Sequence, residues 1–201
     1  MKQHFLITFS LFILLSGCST TSELPEITGE ITDDQYQQQL SQLSDWQFTG
    51  KLAFITPKER QSANVLWQTH NQQLEKLSLS TFLGINILEL EKQTQDYVIH
   101  VDGESHQGTN LSYLIWQLTG LTLPVNALND WLKARPHITN DQLIYDQSNI
   151  YPSGLNSDFN QQQWQVKYRQ YRPVNQIMLP HKIDITQGQL SIKLQINRWE
   201  L

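Results

Sequence analysis

The sequence predicts a mainly β domain of the α+β class, built on an antiparallel sheet, sandwich or barrel. Three observations predict it. Apolar and polar residues alternate at period two in eight separate segments, the mark of strands with one buried face. Turn signals separate the first five of these segments at a spacing of about 10–14 residues, the pattern of an antiparallel sheet. Between the fifth and sixth segments the apolar period becomes helical, so the order is strands, then helices, then strands around one core.

The bulk properties fit that class. A chain of 201 residues suits one domain with a tail. With 39% apolar and 16% charged residues, charge-driven disorder is excluded. A net charge of −5 argues against a nucleic-acid partner, which usually needs a basic stripe. The single cysteine, Cys18, excludes an intrachain disulfide framework and a Cys-rich zinc site. The only long apolar run is at the start, so the chain does not read as a multi-span membrane protein.

That run, Phe5 to Leu15, follows Lys2 and is too short to span a bilayer as a helix. It has the length of a secretory h-region. Leu15-Ser16-Gly17-Cys18 then resembles the bacterial lipobox. In such signals the cysteine is thioether-linked to diacylglycerol, the chain is cut before it, and its nitrogen is acylated. The expected organisation is a signal peptide at 1–17, a lipidated N-terminus and tether at 18–33, and one domain at 34–201. Cleavage removes only Lys2 among the charged residues, so the net charge moves from −5 to −6. Ser19 after the cysteine, rather than Asp, implies delivery to the outer membrane of a Gram-negative bacterium, facing the periplasm. Acyl chains anchor durably because each buried CH₂ contributes roughly 0.8 kcal/mol.

Residues 19–33 carry Ser, Thr, Pro, Gly and acids without an apolar period and read as a flexible tether. Asp33 to Leu43 reads as a first helix, with Tyr36, Leu40 and Leu43 on one face and Asp33 or Asp34 as the cap. The five leading strands are expected from Trp46, at Ser62–Thr69, Leu74–Thr81, Ile85–Glu91 and Tyr97–Asp102. Asn110 caps a helix carrying Leu111, Leu114, Ile115 and Leu118, and Gly120 ends it. Pro124 opens another, with Val125, Leu128, Trp131 and Leu132 on one face, and Pro136 stops it. A polar stretch follows. The last strands are expected at Gln163–Tyr171, Ile177–Thr186 and Leu190–Trp199.

The chain carries little that reads as catalysis. There is no nucleophile elbow, zinc-protease helix or phosphate loop. Ser105-His106 lies in an expected hairpin, where neighbours point to opposite faces, and reads as edge-strand polarity. The histidines are scattered singly. Two other features stand out. Six tryptophans mostly fall on apolar faces, where they fill a core or line a cavity. Phe82-Leu83-Gly84 puts two large apolar residues in a turn, where they fold back onto the core or stay exposed for a partner.

Taken in order, the elements resemble those of the outer-membrane lipoprotein receptor family, LolB. The matching residues are Trp46 with Gly50-Lys51-Leu52-Ala53, Leu66-Trp67, Leu83-Gly84 and Leu88-Glu89-Leu90. They continue through Leu118-Thr119-Gly120, Leu123-Pro124-Val125, Trp131-Leu132 with Pro136, Trp164-Gln165-Val166, Leu179-Pro180 and Trp199. Two positions depart: Phe82 stands where the family usually has Pro, and Ala134 where it often has Gly. The resemblance implies an incompletely closed antiparallel β-barrel with short helices plugging its opening. It implies no catalysis and no cofactor. It implies a monomer that takes acylated lipoproteins from the soluble periplasmic carrier LolA and inserts them into outer-membrane lipid. It favours Trp46, Phe48, Leu52, Phe54, Trp67, Leu79, Trp116, Trp131, Trp164 and Leu194 as the lining of an acyl-chain cavity. It favours Leu83 with Phe82 as an exposed membrane-insertion loop. A generic periplasmic carrier of apolar ligands, a structural lipoprotein and a lipid-metabolising enzyme are the alternatives.

Overall fold

A computed structural model of the chain describes residues 31–147 and 150–201. The signal peptide, Cys18 and most of the tether lie outside the described residues. The rest forms one antiparallel sheet and three short helices. The sheet begins with a meander of β1 (Trp46–Ile55), β2 (Arg60–His70), β3 (Gln73–Ser80), β4 (Asn86–Lys92), β5 (Tyr97–Val101) and β6 (Glu104–Gly108). A second meander holds β7 (Gln142–Ile144), β8 (Gly154–Phe159), β9 (Gln162–Val174), β10 (Ile177–Gln187) and β11 (Leu190–Glu200). Helix α1 (Asp33–Ser41) precedes β1, while α2 (Leu111–Thr119) and α3 (Val125–Trp131) link the two meanders.

The spatial order is β6-β5-β4-β3-β2-β1-β11-β10-β9-β8-β7. Strands β6 and β7 are therefore the edges, and the sheet is not closed. Leu90 and Ile99 near one edge share a single core with Leu155 and Trp164 near the other, so the sheet wraps around its contents. This is the open antiparallel barrel with short helices that was expected.

Strands β7 and β8 were not expected, and β6 only as edge polarity. Strand β8 keeps the two-residue alternation, with Leu155 and Ser157 inward, but Asn, Ser and Asp dilute its apolar signal. Its hairpin also hides its turn. Asn160 and Gln161 take φ of 53° and 60°, as both central residues of a type I′ turn must. Asn71-Gln72 and Asn175-Gln176 do the same, with Gln where Gly is usual. The first helix is capped by Thr32, not by Asp33 or Asp34. Its hydroxyl accepts from Gln35 N–H at 3.3 Å, and the Gln35 side chain accepts from Thr32 N–H at 3.0 Å. The two aspartates instead occupy the first turn, where the helix dipole favours them.

Gly50 is required by a close approach. It sits at a bulge in the β1–β11 ladder, and a Cβ there would overlap Gln195 O and lie 3.0 Å from Ile196 Cα, both backbone. Gly50→Ala is expected to lower stability by about 1–3 kcal/mol, read as a fall in the urea midpoint.

Candidate functional site

Hairpin connections alternate between the two rims of an antiparallel sheet. The loops at 56–59, 81–85, 102–103, 160–161 and 188–189 share one rim, and those at 71–72, 93–96 and 175–176 share the other. Burial of the inner face is unequal between the rims. At the second rim rings pack on one another. Trp199 lies 5.4 Å from Trp46 and 5.2 Å from Phe48, and Phe48 stacks on Trp67 at 6.4 Å. Toward the first rim burial fades along β1, β2 and β3. Leu52, Phe54, Leu79, Leu88 and Val101 are only half-buried there.

The register joins these residues into rows across the sheet. One row runs Gly50, Val65, Leu79, Leu88, Val101, and the next runs Phe48, Trp67, Leu77, Leu90, Ile99. Leu194 faces Leu52 from β11 and is buried. Trp164 lies on β9 against Trp131 of α3, with ring centroids 5.9 Å apart. Trp116 does not join them. It is 49% exposed and stacks on Tyr113 along the outer side of α2, off the stripe formed by Leu111, Leu114, Ile115 and Leu118.

The Phe82-Leu83-Gly84 loop stands on the first rim. Gly84 N–H donates to Thr81 O at 3.0 Å, and Gly84 has φ of 83°, the left-handed residue of a three-residue hairpin loop. The Thr81 hydroxyl accepts from Ile85 N–H at 3.1 Å and braces the loop. Phe82 is 87% exposed and Leu83 82%. Ile85 and Ile87 extend the patch; neither was singled out from the sequence. For Ile87 the signal was present, because Leu88 and Leu90 point inward and so turn it outward; a register shift between Leu79 and Ser80 breaks the alternation before Ile85.

Ser105 and His106 sit on edge strand β6, opposite His100 and Ile99, on opposite faces. Among the described residues no group of three His, Cys, Asp or Glu is placed to hold a metal ion.

The helices differ in how firmly they are held. In α3, Val125, Ala127, Leu128, Asn129 and Trp131 are all buried. Asn129 donates to Gln72 O at 3.2 Å. Beyond it, Ala134 N–H bonds Trp131 O and Arg135 N–H bonds Asp130 O, a Schellman turn with Ala134 at φ of 60°. Lys133 is only 2% exposed. Its amine donates to Leu43 O at 3.1 Å and lies over the Trp46 ring. Burial pulls that amine down to about 8, against the opposing influence of Asp130. Helix α2 is held more lightly, with Ile115 and Leu118 only partly buried.

Comparison with known proteins gives a consistent set of relatives. The family model described as outer membrane lipoprotein LolB matches residues 44–199. The outer-membrane lipoprotein LolB of Pseudoalteromonas translucida is 35% identical over 200 residues, covering 100% of this chain and 95% of its own. That of Tolumonas auensis is 34% identical over 202 residues, covering 100% and 98%. That of Vibrio vulnificus is 32% identical, covering 94% and 93%. Among solved structures, a LolA superfamily protein from Nitrosomonas europaea aligns with a TM-score of 0.52 at 12% identity, over 85% of this chain and 94% of that one. A DUF1329 family protein from Desulfovibrio piger aligns at 0.55 and 5% identity, over 84% and 91%. These two likenesses are of fold.

Two stability predictions follow from the helix contacts. Ala134 holds a left-handed position that glycine occupies without steric cost, but its methyl is fully buried. In Ala134→Gly the relieved strain and the lost burial nearly cancel, and the urea midpoint is expected to stay within the equivalent of about 0.5 kcal/mol. The Lys133 amine is depressed from 10.5 to about 8, so the unfolded chain binds more protons between those values and stability rises with pH across them. From about pH 8 to about pH 9.5 the lysine contributes about 1.5 kcal/mol, partly offset by the buried tyrosines, whose protons leave the unfolded chain first. Lys133→Met is expected to flatten that rise, which unfolding at the two pH values measures.

Proposed function

Because this chain belongs to the outer membrane lipoprotein LolB family, we propose that it receives acylated lipoproteins from the soluble periplasmic carrier LolA and inserts them into the outer membrane. The family and the fold are those of lipoprotein carriers and receptors, not enzymes. Its homologues are named outer-membrane lipoproteins, which supports the same membrane here; in this reading Cys18 anchors the domain on the periplasmic side.

One observation carries this reading: the exposed Phe82-Leu83 loop shares a rim with the half-buried part of the apolar inner face. Acyl chains cost about 0.8 kcal/mol per CH₂ in water, so they must pass between apolar surfaces. Leu52, Phe54, Leu79 and Leu88 offer such a surface, with the rings of Trp46, Phe48 and Trp67 behind it. Trp131, Trp164 and Leu194 complete the wall. In this structure the rings touch one another, so chains enter as the cover over the face shifts. Helix α2 is the cover that moves, and α3 stays in place. Phe82 and Leu83, with Ile85 and Ile87, dip into the bilayer at the rim and let the chains leave into lipid. The transfer needs no cofactor and no covalent step. A rising order of affinity, from carrier to receptor to membrane, suffices.

The test follows a radiolabelled lipoprotein from purified LolA to this protein and then into outer-membrane vesicles. In Leu83→Glu the thermal midpoint is expected to stay near wild type, since changes at such exposed sites usually remain within about 0.5 kcal/mol. Acceptance from the carrier stays intact. Delivery into vesicles falls strongly, because a carboxylate does not enter the acyl region cheaply. Unfolding of Leu83→Glu, or blocked acceptance with normal delivery of pre-loaded cargo, contradicts the loop's role.

A further inference from the structure

A second site lies at the edge of the sheet. Strand β7 pairs with β8 only through Gln142–Asn156, Leu143–Leu155 and Ile144–Gly154. Residues 157–159 pair with β9 on one side and, among the described residues, with no strand on the other. Where β7 ends, a cleft of about 230 Å³ opens around this free edge. The amides of Gln142, Asn156, Gln163 and Gln165 line it, with one carboxylate, Asp158. Ser157 and Trp164 line it from the inner face, opposite each other across the ladder. Ser157 is 4% exposed, and its hydroxyl is buried without a hydrogen-bond partner, as is the Trp164 indole N–H. Both atoms face the core rather than the cleft, so the donors and acceptors open to a ligand are the side-chain amides and the free strand edge.

The lining selects the ligand. With Asp158 the only charge, it disfavours anions, and with Trp164 the only large ring, it disfavours apolar groups. Side-chain amides and a free strand edge both offer donors and acceptors in the alternation of a peptide backbone. The edge is also on the rim that carries the Phe82-Leu83 loop, because the β8–β9 turn lies there. We propose that this cleft binds the extended, uncharged peptide that adjoins the lipidated cysteine of the cargo, by strand addition to residues 157–159. The inference rests on the receptor reading above. A lipoprotein whose chains lie on the inner face has its peptide leaving over this rim, and the cleft holds that exit in one direction.

The test uses the full-length lipidated protein in nanodiscs and three short-chain, water-soluble probes. These are an N-acyl, S-diacylglyceryl cysteine amide, the same carrying a four-residue Ser/Asn/Gly peptide, and that peptide N-methylated along its backbone. The peptide is expected to tighten binding about tenfold, the effect of one or two net hydrogen bonds. N-methylation removes the gain. Gln142→Ala with Gln165→Ala, both outside the apolar face, removes it too and leaves affinity for the bare lipidated cysteine unchanged. Amide exchange at 157–159 slows when the peptide probe binds. Equal affinity for the three probes in the wild-type protein overturns the inference and leaves the receptor reading standing, as does a gain that survives both changes. Failure of the bare lipidated cysteine to bind overturns the receptor reading and this inference with it.

Discussion

Pairing of β1 with β11 holds the molecule together. It joins a meander of six strands to one of five, across almost the whole length of the domain. The loop-closure entropy is large but grows slowly with length. It is offset at the seam itself, where Trp46 and Phe48 of β1 pack against Trp199 of β11. Gly50 lets the two backbones approach at the bulge within that seam. The rows of inward side chains across β2 to β5 inherit their register from β1, and those of β9 and β10 inherit it from β11. A slip of one residue at the seam would turn the rows of one meander to the other face relative to those of its neighbour.

An open barrel must solve two problems that a closed one avoids. Its edges expose unpaired backbone, and its apolar interior meets water. The β6 edge is short and polar, Glu104 to Gly108, which discourages pairing with other chains. The β7 edge is three residues long and leaves part of β8 uncovered. The interior is sealed at one rim by packed rings and by α3 with its buried lysine. At the other rim it remains half-covered. In the proposed function, the same asymmetry that costs burial gives acyl chains a way in.

The loop at that rim is held by local hydrogen bonds. Phe82 carries no pyrrolidine ring to restrict the backbone. The left-handed Gly84 and the Thr81 hydroxyl bonded to Ile85 N–H hold the hairpin instead. An extra aromatic ring therefore enlarges the apolar tip without freeing it. Ala134 is the opposite case: it keeps the turn that glycine would make but in a strained conformation. Tight bonds from Ala134 and Arg135 back into α3, and burial of its methyl, sustain it.

By itself the sequence determined the three helices, eight of the strands and the family. The elements are carried by residues close together in the chain (an alternation, a stripe, a cap), and the family by their order along it. It also marked Phe82 and Leu83 as unusual, because apolar residues in a turn violate a local rule. Only the tertiary structure decided that they face outward, since exposure depends on what packs over a loop. It likewise decided that Trp116 stands outside the ring cluster and that Lys133 lies inside the domain, beside Leu43 O and Trp46. Strands β7 and β8 were illegible for the same reason. Three residues, or a segment broken by Asn, Ser and Asp, become strands only when β9 supplies a partner, because ladder hydrogen bonds and shared burial belong to the pair and not to either segment alone.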